Sequence, residues 1–188
     1  MSNIDSTLLG PLAHLAGEWE GTKGDDTAPS PERTTEKNFF RERMFFEPFG
    51  PVDNHEQKLY GLRYKTTAWR HGEEDSFHEE VGYWLWDAKA KQMMRCFMVP
   101  RGVTLIAGGK VQPQAKEFTL KAELGSKTYG ILSNLFLHEE FRTVKYVLKI
   151  KCIDNNSFSY DEDTVLKMKG KKSLFHHRDK NLMSRIRQ

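Results

Sequence analysis

Between Thr143 and Ile153 the chain alternates so regularly that a β-strand is dictated: Val144, Tyr146, Leu148, Ile150 and Cys152 share one face, and Lys145, Lys149 and Lys151 fall on the other. One face is buried and one is wet. Asn155-Asn156-Ser157 then reads as a turn into Phe158, Tyr160 and a strand toward Met168, which makes a hairpin. Aromatic and β-branched runs recur near residues 36–46, 57–69, 77–86, 92–99, 102–108 and 117–124, with a short strand around Trp19. Nine or ten strands with short turns and little helical periodicity imply an antiparallel sheet, and closing it removes the aggregation-prone edges.

The expected fold is therefore all-β, an up-and-down antiparallel barrel of about ten strands, wide enough to enclose a ligand-sized cavity. The 188 residues read as one domain, 1–188. The 12 Phe, 6 Tyr and 4 Trp supply rings to line an interior. Residues 1–16 carry Leu8, Leu9, Leu12 and Leu15 around Pro11, a short amphipathic lead-in able to lie against a barrel end. Gly24 to Arg33 is turn-rich and polar and reads as an exposed loop.

Net charge is only +3, yet residues 167–188 hold eight Lys or Arg against Asp179. That bias suits a solvated terminus, or contact with nucleic acid, anionic lipid or a ligand carboxylate. Nucleic acid is the weakest of these options, because no aromatic stacking motif accompanies the charge. Cys96 and Cys152 lack Cys-x-x-Cys spacing, which argues against a disulfide framework or thiolate zinc site. With no basic-then-apolar leader and no long apolar run, a cytoplasmic chain with no membrane partner is expected. The oligomeric state stays open, a homodimer being one option.

Among seven histidines, the adjacent pair His176-His177 stands within a terminal segment, 171–188, that can close the barrel and present an imidazole to a metal. Adjacent side chains on a strand diverge, so one ring at most faces the interior. His78 shares a strand face with Glu80, Gly82, Trp84 and Trp86; that face is either a cavity wall or a surface. Gly17-Glu18-Trp19-Glu20-Gly21 frames a tryptophan that can plug a barrel end, or a bulge beside a core ring. Val99-Pro100-Arg101-Gly102 reads as a turn, with Arg101 a candidate to guard a cavity mouth. Asp161-Glu162-Asp163 reads as a solvated face, since no calcium-loop spacing follows. The Gly-x-Ser-x-Gly elbow is absent, so hydrolysis is unsupported.

Taken together, Leu9-Gly10-Pro11-Leu12-Ala13, the Gly-x-Trp-x-Gly stretch at Gly17, Leu59 to Trp69, Phe77 to Trp84, Arg101 to Gly109, and His177 with Leu182 five residues on resemble the nitrobindin family. These are calycin-like haem-binding barrels akin to lipocalins and fatty-acid-binding proteins. The resemblance implies haem b, with His177 as proximal iron ligand (His176 the alternative), His78 near the pocket, and Trp19, Gly17 and Gly21 shaping its wall. It also implies NO binding and isomerisation of peroxynitrite to nitrate, which would make the protein a peroxynitrite isomerase if haem is bound. The chain departs from the pattern at Lys23, which replaces the motif's last glycine, and at Val99-Pro100-Arg101-Gly102, which replaces a Gln-x-x-Gly turn. The stretch from Phe45 to His55 looks like an insertion able to cover the mouth. The alternative function is a non-enzymatic carrier of a fatty acid or other apolar small molecule, with Arg101 as carboxylate anchor.

Overall fold

The alternation is realised in β9 (Phe141–Asp154), where Tyr146, Leu148, Ile150 and Cys152 are buried and Lys145, Lys149 and Lys151 exposed. Val144 departs from the expected face. A bulge opposite Val165 and Leu166 of β10 (Ser157–Met168) turns Thr143 inward instead. The two strands meet at the expected turn, where Asp154 Oδ1 accepts from the Asn156 amide at 2.8 Å and the Ser157 hydroxyl at 2.9 Å.

The computed structural model describes residues 4–187, so Met1 to Asn3 of the expected lead-in lie outside the described residues. The strands before β9 are β1 (Gly17–Pro29), β2 (Thr35–Asp53), β3 (Lys58–Arg70), β4 (His78–Asp87), β5 (Gln92–Val99), β6 (Val103–Lys110), β7 (Glu117–Glu123) and the short β8 (Ile131–Ser133). A single-turn helix, α1 (Leu135–Glu140), precedes β9, and β11 (Phe175–Arg187) follows β10. Strands β1 to β7 pair antiparallel in sequence order, then β9, β10 and β11, and β11 returns to β1. Ten strands thus close the barrel, while β8 shares the β6 edge with β7.

One end is plugged. A 3-10 helix, Ser6–His14, buries Leu9, Pro11 and Leu12, and Leu15 follows them in. Trp19 donates from its indole to the Leu15 carbonyl at 2.7 Å, meets Phe158 edge-on at 4.8 Å, and carries the Arg185 guanidinium 4.0 Å over its ring. Together with Trp86, Met93 and Met183 these residues form an apolar floor. The opposite end opens onto a cavity of about 780 Å³, within the size range of small-molecule sites.

Four expectations need correction. Gly24 to Pro29 is strand, not loop: the turn is confined to residues 30–34, and Asp26 is buried. The basic terminal stretch is not a solvated tail. It supplies β11, with Lys180 paired outward to Asp25 and Arg178 near Asp163. The Phe45 to His55 stretch extends the β2–β3 hairpin beyond Phe46 toward the plugged end, far from the mouth. Glu162 is not solvated with its neighbours but points inward to Arg95 at 2.8 Å.

Candidate functional site

Strand β11 decides where the terminal histidines look. Asn181 and Met183 are buried while Lys180 and Leu182 are exposed, and the same alternation sends His177 and Asp179 to the cavity and His176 outward. The exposed His176 ring lies with Nδ1 2.8 Å from Asp163 Oδ2. Bringing it inside would require a one-residue register slip that turned the whole strand over. His177 Nε2 lies 2.9 Å from Oδ1 of Asp26 on the neighbouring β1. Asp26 is only 3% exposed; its other oxygen accepts from Asn38 at 3.0 Å, and Arg70 donates to Asn38 at 3.2 Å. The second ring nitrogen of His177 has no hydrogen-bond partner among the described residues, and the side chain is 36% exposed at the mouth.

His78 takes the inward option. It opens β4 with Nε2 3.2 Å from Glu80 Oε1, and with β1, β2 and β3 between it and β11 it stands on a wall well separated from His177. Arg101 occupies the β5–β6 turn at the rim, where the Gly102 amide bonds the Val99 carbonyl at 2.9 Å and Asn134 donates to the Arg101 carbonyl at 2.9 Å. Pro29, Phe77, Val99, Pro100, Leu137 and Phe141 give the rim an apolar surface. The β1–β2 turn is pinned beside it by Arg33, which pairs with Glu140 at 2.5 Å and lies over Phe141 at 4.7 Å.

Trp19, Gly17 and Gly21 belong elsewhere. Trp19 sits in the plug and does not line the cavity. Gly17 begins β1 at φ +115°, a conformation glycine favours. Gly21 packs so closely on Asn181 and Met183 that a Cβ would collide with both. Lys23 is exposed where β1 bulges, so its charge lies outside the cavity.

Beneath the mouth lies a polar belt the sequence reading missed. Arg95 on β5, 5% exposed, bonds Glu80, Tyr146, Glu162 at 2.8 Å and Tyr64 at 3.2 Å. Burial opposes the charge on Glu80, but Arg95, with help from His78 and Tyr64, overrides it and holds the carboxyl at about 2. Glu42 has no such cation: burial raises it to about 7 despite hydrogen bonds from Tyr160 at 2.8 Å and Asn181 at 3.4 Å. Asp179 is raised well above the usual carboxylate range by burial and by repulsion from Glu162, Glu42 and Asp26. The sequence signal for the belt was parity: Arg95 shares a face with Met93 and Phe97, and Asp179 shares one with His177.

These residues fit a haem. One imidazole nitrogen is steadied by a buried carboxylate and the other is left for a metal, the usual arrangement of a ligating histidine. The apolar rim suits a porphyrin plane, and Arg101 suits a carboxylate side group. Among the described residues no group of three or more His, Cys, Asp or Glu could hold a metal ion.

The family model described as THAP4-like, heme-binding beta-barrel domain matches residues 8–185. The chain belongs to this nitrobindin-like family. As a THAP4-like barrel it shares its architecture with the protein in the crystal structure of Rv2717c from M. tuberculosis, at a TM-score of 0.66 and 18% identity over 95% of this chain and 96% of that one. No curated protein sequence matches it. Membership makes haem the cofactor class of this THAP4-like barrel, and no helix among the described residues is long and apolar enough to cross a membrane.

Proposed function

We propose that the protein binds haem b at the barrel mouth through His177 and acts on reactive nitrogen species, binding NO and isomerising peroxynitrite to nitrate. The observation that carries this reading is the His177–Asp26 contact at 2.9 Å, which leaves the other imidazole nitrogen without a hydrogen-bond partner among the described residues on a side chain that lines the cavity. Bound haem would supply a Lewis-acidic, redox-active iron.

The chain's own residues do the rest. Asp26, fixed by Asn38, holds the His177 ring in one orientation and keeps its other nitrogen available. Phe77, Val99, Pro100, Leu137 and Phe141 exclude water from the rim, and Arg101 is positioned to pair with a carboxylate at its edge. A cytoplasmic setting belongs to the same reading, in keeping with the free thiols of Cys96 and Cys152.

Stopped-flow mixing of hemin-loaded protein with peroxynitrite tests it. Accelerated decay with nitrate as product is expected, and decay no faster than with His177→Ala protein would overturn the assignment. The carrier alternative is less favoured, because the family model that matches residues 8–185 describes a haem-binding barrel.

A further inference from the structure

The seam between the first and last strands comes apart beside His177. Toward the mouth, β1 pairs with β11 as far as Thr27 opposite Arg178, and among the described residues no pair joins the two strands beyond that point. Their other partners run further: β1 stays with β2 to Pro29 opposite Thr35, and β11 stays with β10 to Phe175 opposite Leu166. The gap thus lies between residues 28–29 and 175–177, and His177, Ala28, Pro29 and Ser30 beside it line the cavity. Sequence explains the break. The Ser30 amide turns to the Thr34 carbonyl within the β1–β2 hairpin at 3.0 Å, so strand alternation aims the Pro29 nitrogen at β11, where it has no N–H to donate.

A side chain closes this gap in place of the ladder. The β1–β2 turn, tied by the Arg33 amide to the Ser30 carbonyl at 2.9 Å, holds Arg33 at φ +60°, a left-handed conformation uncommon for a residue with a side chain. From there the guanidinium donates to the carbonyls of Lys169 at 2.9 Å and Glu140 at 3.3 Å. It also pairs with the Glu140 carboxylate at 2.5 Å and lies 4.7 Å over Phe141, while Lys169 Nζ holds the other Glu140 oxygen at 2.7 Å. In the sheet β11 stands between β1 and β10, so the clasp passes over the end of β11 to reach these residues. Phe141 and Leu137 on its far side line the cavity as Pro29 and Ser30 do on the near side.

Strand ladders open as cooperative units, whereas a clasp made by one side chain at a turn opens locally. We propose that the mouth end of the β1–β11 seam is the portal through which haem enters and leaves the cavity, and that Arg33 is its latch. The inference rests on the haem reading above. Opening needs no change below the gap, where Asp26 remains in the ladder opposite Asp179. Arg33 does not itself line the cavity, and its contacts are made with the mouth empty. Its loss therefore lowers the barrier to passage in both directions and leaves the difference between free and bound states nearly unchanged.

The test compares the full chain with Arg33→Met, which keeps a stem over Phe141 and leaves Glu140 its pairing with Lys169. Thermal unfolding verifies that the variant folds. Hydrogen exchange of the haem-free proteins should be about tenfold or more faster in the variant across residues 28–34 and 135–141, and unchanged in the β9–β10 ladder. Stopped-flow hemin uptake, and transfer of bound hemin to an excess of a haem-scavenging apoprotein, should both accelerate by a similar factor, with the equilibrium affinity within about threefold of the parent. Unchanged exchange or unchanged hemin kinetics would overturn the portal. So would a weaker affinity at an unchanged uptake rate, which would make Arg33 a binding residue. A parent chain with no Soret band would sink the haem reading and the portal role with it, and the exchange measurement separates that failure from absence of the latch.

Discussion

His177 and Asp26 join the last strand to the first at the barrel mouth, with imidazole Nε2 2.9 Å from a carboxylate oxygen that is almost fully enclosed. One contact therefore serves closure of the sheet and orientation of the ring. If orientation matters to ligation, Asp26→Ala should weaken hemin affinity by about 10–100-fold while leaving His177 in place. Unchanged affinity in an absorbance titration would show that the ring needs no such support.

His176 provides the internal contrast. Its ring is exposed and paired to Asp163 outside the barrel. His176→Ala should retain hemin binding and shift stability by no more than about 0.5 kcal/mol, as surface pairs generally do. A lost Soret band in this variant would reverse the assignment of the doublet.

Arg95 is the counter-ion on which the buried Glu80 and the partly buried Glu162 depend. Arg95→Met leaves Glu80 and Glu162 without it, and urea unfolding should show a loss of about 3–5 kcal/mol. Adding Glu80→Gln should recover part of that loss, because one unpaired buried charge disappears. No recovery would mean that packing of the arginine stem, not charge, sets the cost.

Glu42 and Glu80 act on pH stability with opposite signs. Glu42 rises from 4.5 to about 7 on folding, so its stabilising contribution is full below pH 4.5 and lost as pH climbs through 7, about 3 kcal/mol in all. Glu80 falls from 4.5 to about 2, so its contribution is present above pH 4.5 and lost as pH drops toward 2. Glu42→Gln should accordingly be more stable than the parent at pH 8 and nearly equal at pH 4. Urea midpoints at the two pH values measure this, and a parallel offset at both would contradict it.

The strands and the plug were legible because their apolar residues obey a period of two or a helical stripe, as β9 and the Leu9–Leu12–Leu15 lead-in show. The polar belt was not. Asp26 and Glu162 look like loop and surface residues in sequence, because a barrel that holds a ligand site buries charges whose partners lie on remote strands, Arg95 being 67 residues from Glu162. The inward turn of His177 over His176 was open until β11 had a register. The bulge at Val144 likewise depended on pairing rather than on local propensity. Trp19, with its framing glycines, carries the family resemblance yet serves the floor, since a large ring beside close-packed glycines fits a plug as well as a pocket wall.

The most direct measurement is a hemin titration of the purified chain followed in the Soret region, with His177→Ala and His176→Ala alongside. A saturable band in the parent and in His176→Ala, lost in His177→Ala, is the predicted result. Equal bands in all three proteins, or none in the parent, would contradict haem ligation by His177.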